Sequence, residues 1–187
     1  MSHSDAGRLA SFAGSDADRR AAGAVVEHHA QLAQTLANHL ERLRAAAAGG
    51  SRAQVLERRD ALLAWLRTEL VPHAQAEEAV LYPAAAGRTG GRLVVDGMLA
   101  EHRAIIALVD ELADATTGLD VIAATRALAA LFAVHLEKEN DLILPLLLAA
   151  EESSVAALLD GLHDLIGASA GDGCGSGGEC GCRPAIV

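Results

Sequence analysis

A chain of 187 residues, 51% of them hydrophobic and only 2% aromatic, is long enough for one domain with a substantial core. Its 41 alanines and 28 leucines, set against few β-branched residues, favour packed helices and exclude an all-β fold. With 15 basic against 25 acidic residues, a formal net charge of -10, the chain is not expected to bind nucleic acid or an anionic membrane.

The first eighteen residues lack the basic start and apolar run of a secretion signal. The longest unbroken apolar stretch, Leu142 to Ala150, is about half of what a bilayer-spanning helix needs. A soluble cytoplasmic protein is expected, and the cysteines agree. Cys174, Cys180 and Cys182 all fall in the last fourteen residues, where no disulfide can staple the body of the fold.

The first predicted helix runs from Ser15 to Leu43, with Val25, Val26, Leu32, Leu36, Leu40 and Leu43 at steps of three and four, and AAAAGGS at 45–51 is expected to end it. A second stretch, Arg52 to Leu81, carries Leu63, Leu66, Leu70 and Val80 on its apolar side and closes at GRTGGR, 87–92. The third, Leu93 to Ala115, aligns Met98, Ile105, Val109 and Leu112. The fourth begins near Asp120 and carries Leu128, Leu131, Leu142 and Leu146.

A short amphipathic stretch from Ser153 to Ile166, through Val155, Leu158 and Leu162, is expected to cap the assembly. Four long helices with short loops predict an all-α, up-and-down antiparallel four-helix bundle over residues 19–166. A flexible segment is expected at 1–18, and a flexible Gly- and Cys-rich tail at 167–187. The tail ends in apolar RPAIV, as if a strand were beginning where the chain stops, which suggests a natural continuation.

The predicted stripes are interrupted in matching ways. On the second helix the run Leu63, Leu66, Leu70 continues as His73, Glu77, Val80; on the fourth, Leu128, Leu131 continues as His135, Glu139, Leu142. Each His-x-x-x-Glu pair is followed by a proline ten residues after its histidine, Pro83 and Pro145. The first and third helices each add a histidine. His102 aligns with His29 if the apolar stripes are kept in register, and with His28 if the neighbouring Glu27 and Glu101 are matched; His29 lies nearer the centre of its stripe and is preferred.

Six polar groups in one bundle layer would cost roughly 1–3 kcal/mol each if left without partners. Neutral imidazoles and ionised carboxylates are the donors that first-row transition ions take, and two carboxylates can bridge a cation pair. Four histidines and two glutamates suit two metals, with a position on each left for a small molecule.

HAQAEEAVLYP at 73–83, AEHRAII at 100–106 and HLEKENDLILP at 135–145 resemble, in order and spacing, the hemerythrin-like (HHE cation-binding) family. The resemblance spans roughly residues 20 to 150. It implies a non-haem di-iron centre, oxo- or hydroxo-bridged, held by His29 (or His28), His73, Glu77, His102, His135 and Glu139. It also implies a small ligand, oxygen, nitric oxide or peroxide, and a role in sensing, storage or stress protection. Oxygen-carrying hemerythrins have a further histidine four residues after the third-helix one and an aspartate five after the fourth-helix one; here Ile106 and Asn140 stand there, which argues against reversible oxygen carriage. The pattern looks more like the bacterial branch that includes iron-sulfur cluster repair proteins, without their N-terminal cysteine-bearing segment. Two other readings compete: a di-iron enzyme or iron donor acting on peroxide, nitric oxide or damaged clusters, and a structural metal staple in an interaction module.

The neighbours of these residues are given plainer roles. Glu78, Asn140 and Asp141 are read as solvated surface in preference to supports for a ligand. Tyr82 is expected to pack its ring on a bundle flank with its hydroxyl wetted. His3, His39 and His163 lie too far away or too near the ends to be ligands, and the C-x5-C-x-C tail lacks the C-x2-C knuckles of a zinc site.

Overall fold

In the computed structural model, which describes residues 15–149 and 154–160, helix boundaries follow local capping chemistry. Helix α1, Asp16–Ala48, opens on a reciprocal cap in which the Asp18 amide donates to the Ser15 hydroxyl at 3.1 Å and the Ser15 amide to the Asp18 carboxylate at 3.2 Å. It runs past Leu43 because Ala45–Ala48, the strongest helix formers available, extend it rather than end it; the break falls at Gly49 and Gly50, the latter at φ 74°.

Ser51 caps α2, Arg52–Trp65. The chain then widens into a π turn, Leu66–Leu70, before α3, Val71–Ala79. The expected continuous helix to Leu81 is broken at Val80, and α4, Leu81–Ala86, follows at a new angle, leaving Val80 half-buried and burying Leu81 and Tyr82. Helix α5, Gly91–Asp114, begins where the backbone of Gly91 passes so close to α4 that a Cβ there would lie 1.9 Å from the Ala85 carbonyl oxygen. Thr117 caps α6, Gly118–Lys138, which passes through a second π turn, Glu139–Ile143, into α7, Leu144–Leu148.

Both π turns end two residues before a proline, Pro72 and Pro145. A proline lacks the amide of a regular helical bond and its ring crowds the carbonyl four residues earlier, so widening the preceding turn relieves both problems. The second π turn also corrects the fourth stripe. The expected inward residues Leu142 and Leu146 give way to Ile143 and Leu147, and Leu142 is 42% exposed, because the extra residue in the wide turn advances the buried face by one position. Pro83, by contrast, sits in the first turn of α4, so the two prolines that follow the His-x-x-x-Glu pairs do different structural work.

The described residues form an all-α bundle without a strand. Helix α1 packs on α2 and α6, α5 packs on α6 and α2, and α7 lies against α1 and α4. The core has two apolar halves. One gathers Leu32, Leu36, Leu66, Leu70, Ile105, Leu128 and Phe132; the other gathers Val25, Ala76, Tyr82, Met98, Ile143 and Leu147. Between them, on every long rod, stands a polar side chain: His29 between Val25 and Leu32, His73 between Leu70 and Ala76, His102 between Met98 and Ile105, His135 between Phe132 and Ile143.

The rod Gly118–Leu148, 31 residues with mean hydropathy 1.7, is long and apolar enough by length and composition to cross a membrane. The shorter unbroken stretch noted in the sequence understated it, because His135, Glu139 and their neighbours interrupt an otherwise apolar helix. Those two residues are buried against partners on other helices, which makes this rod part of the bundle core.

The capping stretch expected from Ser153 is described over 154–160, where Val155 and Leu159 are buried and Leu158 is half-buried. Its remainder, including Leu162 and Ile166, and the tail with its three cysteines lie outside the described residues, as does most of the expected flexible segment 1–18. Asp18 fastens this stretch to α1, accepting from the Ser154 hydroxyl at 2.7 Å and the Ala156 amide at 3.0 Å. The Ala156 amide first, then the Ser15 and Ser154 hydroxyls, hold the Asp18 carboxyl far below its ordinary value of 3.8, against the opposing effect of burial. A carboxyl more acidic in the folded than in the unfolded chain stabilises fully above the unfolded pKa, and that contribution fades as pH falls through the folded value. Acidification far below about pH 4, toward the folded value, or Asp18→Ala at neutral pH, is therefore expected to release residues 154–160, at a cost of about 1–2 kcal/mol. Faster amide exchange of Ala156 and Ala157 would register it; unchanged exchange would show the clasp to be idle.

Candidate metal centre

The π turns and helix registers bring His29, His73, Glu77, His102, His135 and Glu139 into one layer, each no more than 3% exposed. His28, the alternative to His29, is exposed on α1, with its ring edge-on to that of His73 at 5.0 Å. His39 stacks on Trp65, and Ile106 is 38% exposed, outside the layer.

Ligating atoms converge in two overlapping groups: His29, His73, Glu77 and Glu139 form one, and Glu77, His102, His135 and Glu139 the other. Both carboxylates belong to both groups. Glu77 Oε1 lies 2.9 Å from His73 Nε2 and 3.3 Å from His29 Nε2, while its Oε2 is 3.7 Å from His102 Nε2. Glu139 Oε2 is 3.6 Å from the Nε2 atoms of both His29 and His135.

Three histidines turn Nδ1 outward to an acceptor. His29 donates to Asn140 Oδ1 at 2.8 Å, His102 to Glu78 Oε1 at 2.8 Å, and His135 to Glu101 Oε2 at 3.1 Å; Glu101 is in turn ion-paired with Lys138. With an Nδ1 proton donated to each of these acceptors, a neutral ring can turn its Nε2 lone pair inward toward a metal ion. Glu78 and Asn140 are thus corrected from solvated surface to hydrogen-bond supports, although the Glu78 side chain keeps 42% exposure. Asp141 remains exposed. Tyr82 is corrected as well: it is 1% exposed, its hydroxyl donates to Glu139 Oε1 at 2.6 Å and lies 3.2 Å from His102 Nε2. The break at Val80 turns the start of α4 inward and carries that hydroxyl to the centre.

Electrostatics separate the two carboxylates. Burial would raise Glu77, but the charge of His73 and the hydrogen bonds from His29 and His73 overcome it and hold Glu77 well below the usual carboxylate range. Burial and the adjacent Glu77 charge push Glu139 well above that range, which favours its protonated form. Burial, then the neighbouring His102, lowers His135 to about 3, leaving it neutral. Burial, then Glu139, raises Tyr82 far above its ordinary range, keeping its hydroxyl a proton donor.

These residues fit metal ions. His102 and His135 bring their Nε2 atoms within 3.0 Å of each other, and with both Nδ1 protons donated outward the two inward lone pairs would be placed to share a cation. Glu139 Oε2 and Nδ1 of His73 are buried without a hydrogen-bond partner, while Nε2 of His73 faces Glu77 Oε1 at 2.9 Å. Nitrogen and carboxylate donors in this mixture suit first-row transition ions.

Fold and site together define a helical-bundle metal-binding protein whose donors come from all four long rods. The family model for the hemerythrin HHE cation-binding domain matches residues 20–147, more than half of the chain, and the chain belongs to that family. No curated protein and no solved structure matches it.

Proposed function

We propose that this chain is a non-haem di-iron protein of the hemerythrin-like kind, built on an up-and-down four-helix bundle and located in the cytoplasm, that binds oxygen, nitric oxide or peroxide for sensing or protection. The observation that carries the reading is the pair of donor groups sharing Glu77 and Glu139, the arrangement two bridged cations require. His29 and His73 would hold one iron and His102 and His135 the other, with Glu77 and Glu139 available to both. When bound, the iron pair supplies the redox change and the open coordination that such ligands need.

The chain's own residues set the conditions. Apolar side chains of both core halves exclude water from the layer. The outward hydrogen bonds favour the coordinating tautomer of the imidazoles, and a bound metal would favour the ionised form of Glu139. Tyr82 keeps a proton at Oη within 2.6 Å of Glu139 and 3.2 Å of His102, where it can be donated to a small anionic ligand. This buried donor favours a reactive centre over a structural staple and keeps peroxide or nitric oxide turnover as the second reading.

The test is metal content with visible absorption on protein from iron-replete cells, before and after nitric oxide or hydrogen peroxide. About two irons per chain, with charge-transfer absorption that either molecule changes, is the expected result; continued consumption of excess reagent would select the enzyme. Colourless protein with zinc or no metal would sink the proposal.

A further inference from the structure

The four imidazoles are not supported alike. Behind His102 and His135 stand carboxylates, Glu78 and Glu101. Behind His29 stands the neutral amide oxygen of Asn140, and Nδ1 of His73 is buried with no hydrogen-bond partner. Because Glu77 and Glu139 are common to both donor groups, the two halves of the centre differ in their histidines, in what supports those histidines, and in the Tyr82 hydroxyl beside His102.

A carboxylate accepting Nδ1–H draws the proton toward itself and loads electron density onto Nε2, making the imidazole the stronger donor; an amide oxygen does so weakly, and an unpartnered N–H not at all. Charge acts in the same direction. Glu78 and Glu101 place two negative charges beside one half, of which Lys138 offsets one, whereas Asn140 brings none to the other. Glu101 is also the better fixed of the two, gripped by Lys138 and 19% exposed against 42% for Glu78.

We propose that the centre fills in order, the half formed by His102 and His135 taking the first metal ion, and that Glu78 and Glu101 are the positioning residues that set this order. The proposal rests on the two-metal reading and goes beyond it. Neither glutamate touches metal; each acts through the histidine it supports, so its replacement alters affinity at one half and leaves the number of sites unchanged.

The experiment is titration of the metal-free full-length chain with Co2+, followed by its visible d–d absorption in competition with a chelator of known affinity. Wild type is expected to bind two ions in resolved steps, the first at least about tenfold tighter. Glu101→Gln, and more strongly Glu78→Gln with Glu101→Gln, should weaken the first step by about 10- to 100-fold and leave the second nearly unchanged. Asn140→Ala should weaken the second step alone. Glutamine retains the acceptor and removes only the charge, and far-UV circular dichroism of each metal-free variant checks the fold. Two equal steps in wild type, or equal weakening of both steps in the glutamine variants, would overturn the ordering while the two-metal reading stands; uptake of one ion or none would sink both.

Discussion

Glu139→Ala is expected to cost the chain both metal ions, whereas His73→Ala costs one. Glu139 Oε2 sits equidistant, at 3.6 Å, from the inward nitrogens of His29 and His135, so its loss removes an anionic donor from both groups at once. His73 belongs to one group only. Loss of outer support alone typically weakens a metal by 10- to 100-fold, and loss of a shared inner ligand should exceed that at each half, on the order of 100-fold or more. Elemental analysis after equilibration at micromolar free metal reads the result directly: about two ions in wild type, about one in His73→Ala and close to none in Glu139→Ala. If both variants retain one ion, Glu139 serves a single metal and the carboxylates are not shared.

The six residues of this layer were legible in the sequence because each breaks an apolar stripe at a helical interval, and burial at a stripe position is what a 3.6-residue period encodes. What lies behind them was not, and the reason is geometric. Each outer acceptor sits next in sequence to one site residue but serves a histidine on another helix: Glu78 follows Glu77 and supports His102, Glu101 precedes His102 and supports His135, Asn140 follows Glu139 and supports His29. A neighbour rotated by about 100° from an inward residue looks like surface when its helix is considered alone. It becomes part of the centre only when the adjacent rod is in place.

Tyr82 escaped for a related reason. A continuous second helix would put it on a flank, and only the break at Val80 turns it inward. The π turn at Glu139–Ile143 was hidden because the segment that follows, LILPLLL, is apolar at every position except Pro145, so a one-residue slip of the buried face leaves no trace in the pattern. Pro72 and Pro145 were the available signals, since each imposes a widened turn just ahead of it.

Removal of metal by a chelator at pH 7 is expected to lower the melting temperature by roughly 10–20 °C. Ions present at about 100 times their dissociation constants stabilise the folded chain by about 2.7 kcal/mol per site, or some 5 kcal/mol for two. In a chain of this size each kilocalorie is worth about 2–4 °C. The sensitivity has a structural origin: without cations the layer keeps two carboxyl groups side by side, Glu77 shifted toward its ionised form and Glu139 toward its protonated form, with an unpartnered His73 Nδ1, all deep in the core. The same origin makes Glu139→Leu the informative control. Replacing a costly buried carboxyl with an apolar side chain of similar size is commonly neutral or stabilising once the ion it served is absent, although Tyr82 then loses its acceptor. The variant should therefore melt near the chelated wild type, within about 1–2 kcal/mol, and ignore the chelator entirely. The pH dependence has a defined sign, because the metal-free layer favours protonated Glu139 and metal binding favours its ionised form: measured from pH 6 to 8, the melting-point gap between loaded and chelated wild type is expected to widen with rising pH and to be absent in Glu139→Leu. A gap that narrows over that range would mean that Glu139 enters the loaded centre with its proton, as a hydrogen-bond donor to a neighbour and not as a bridge.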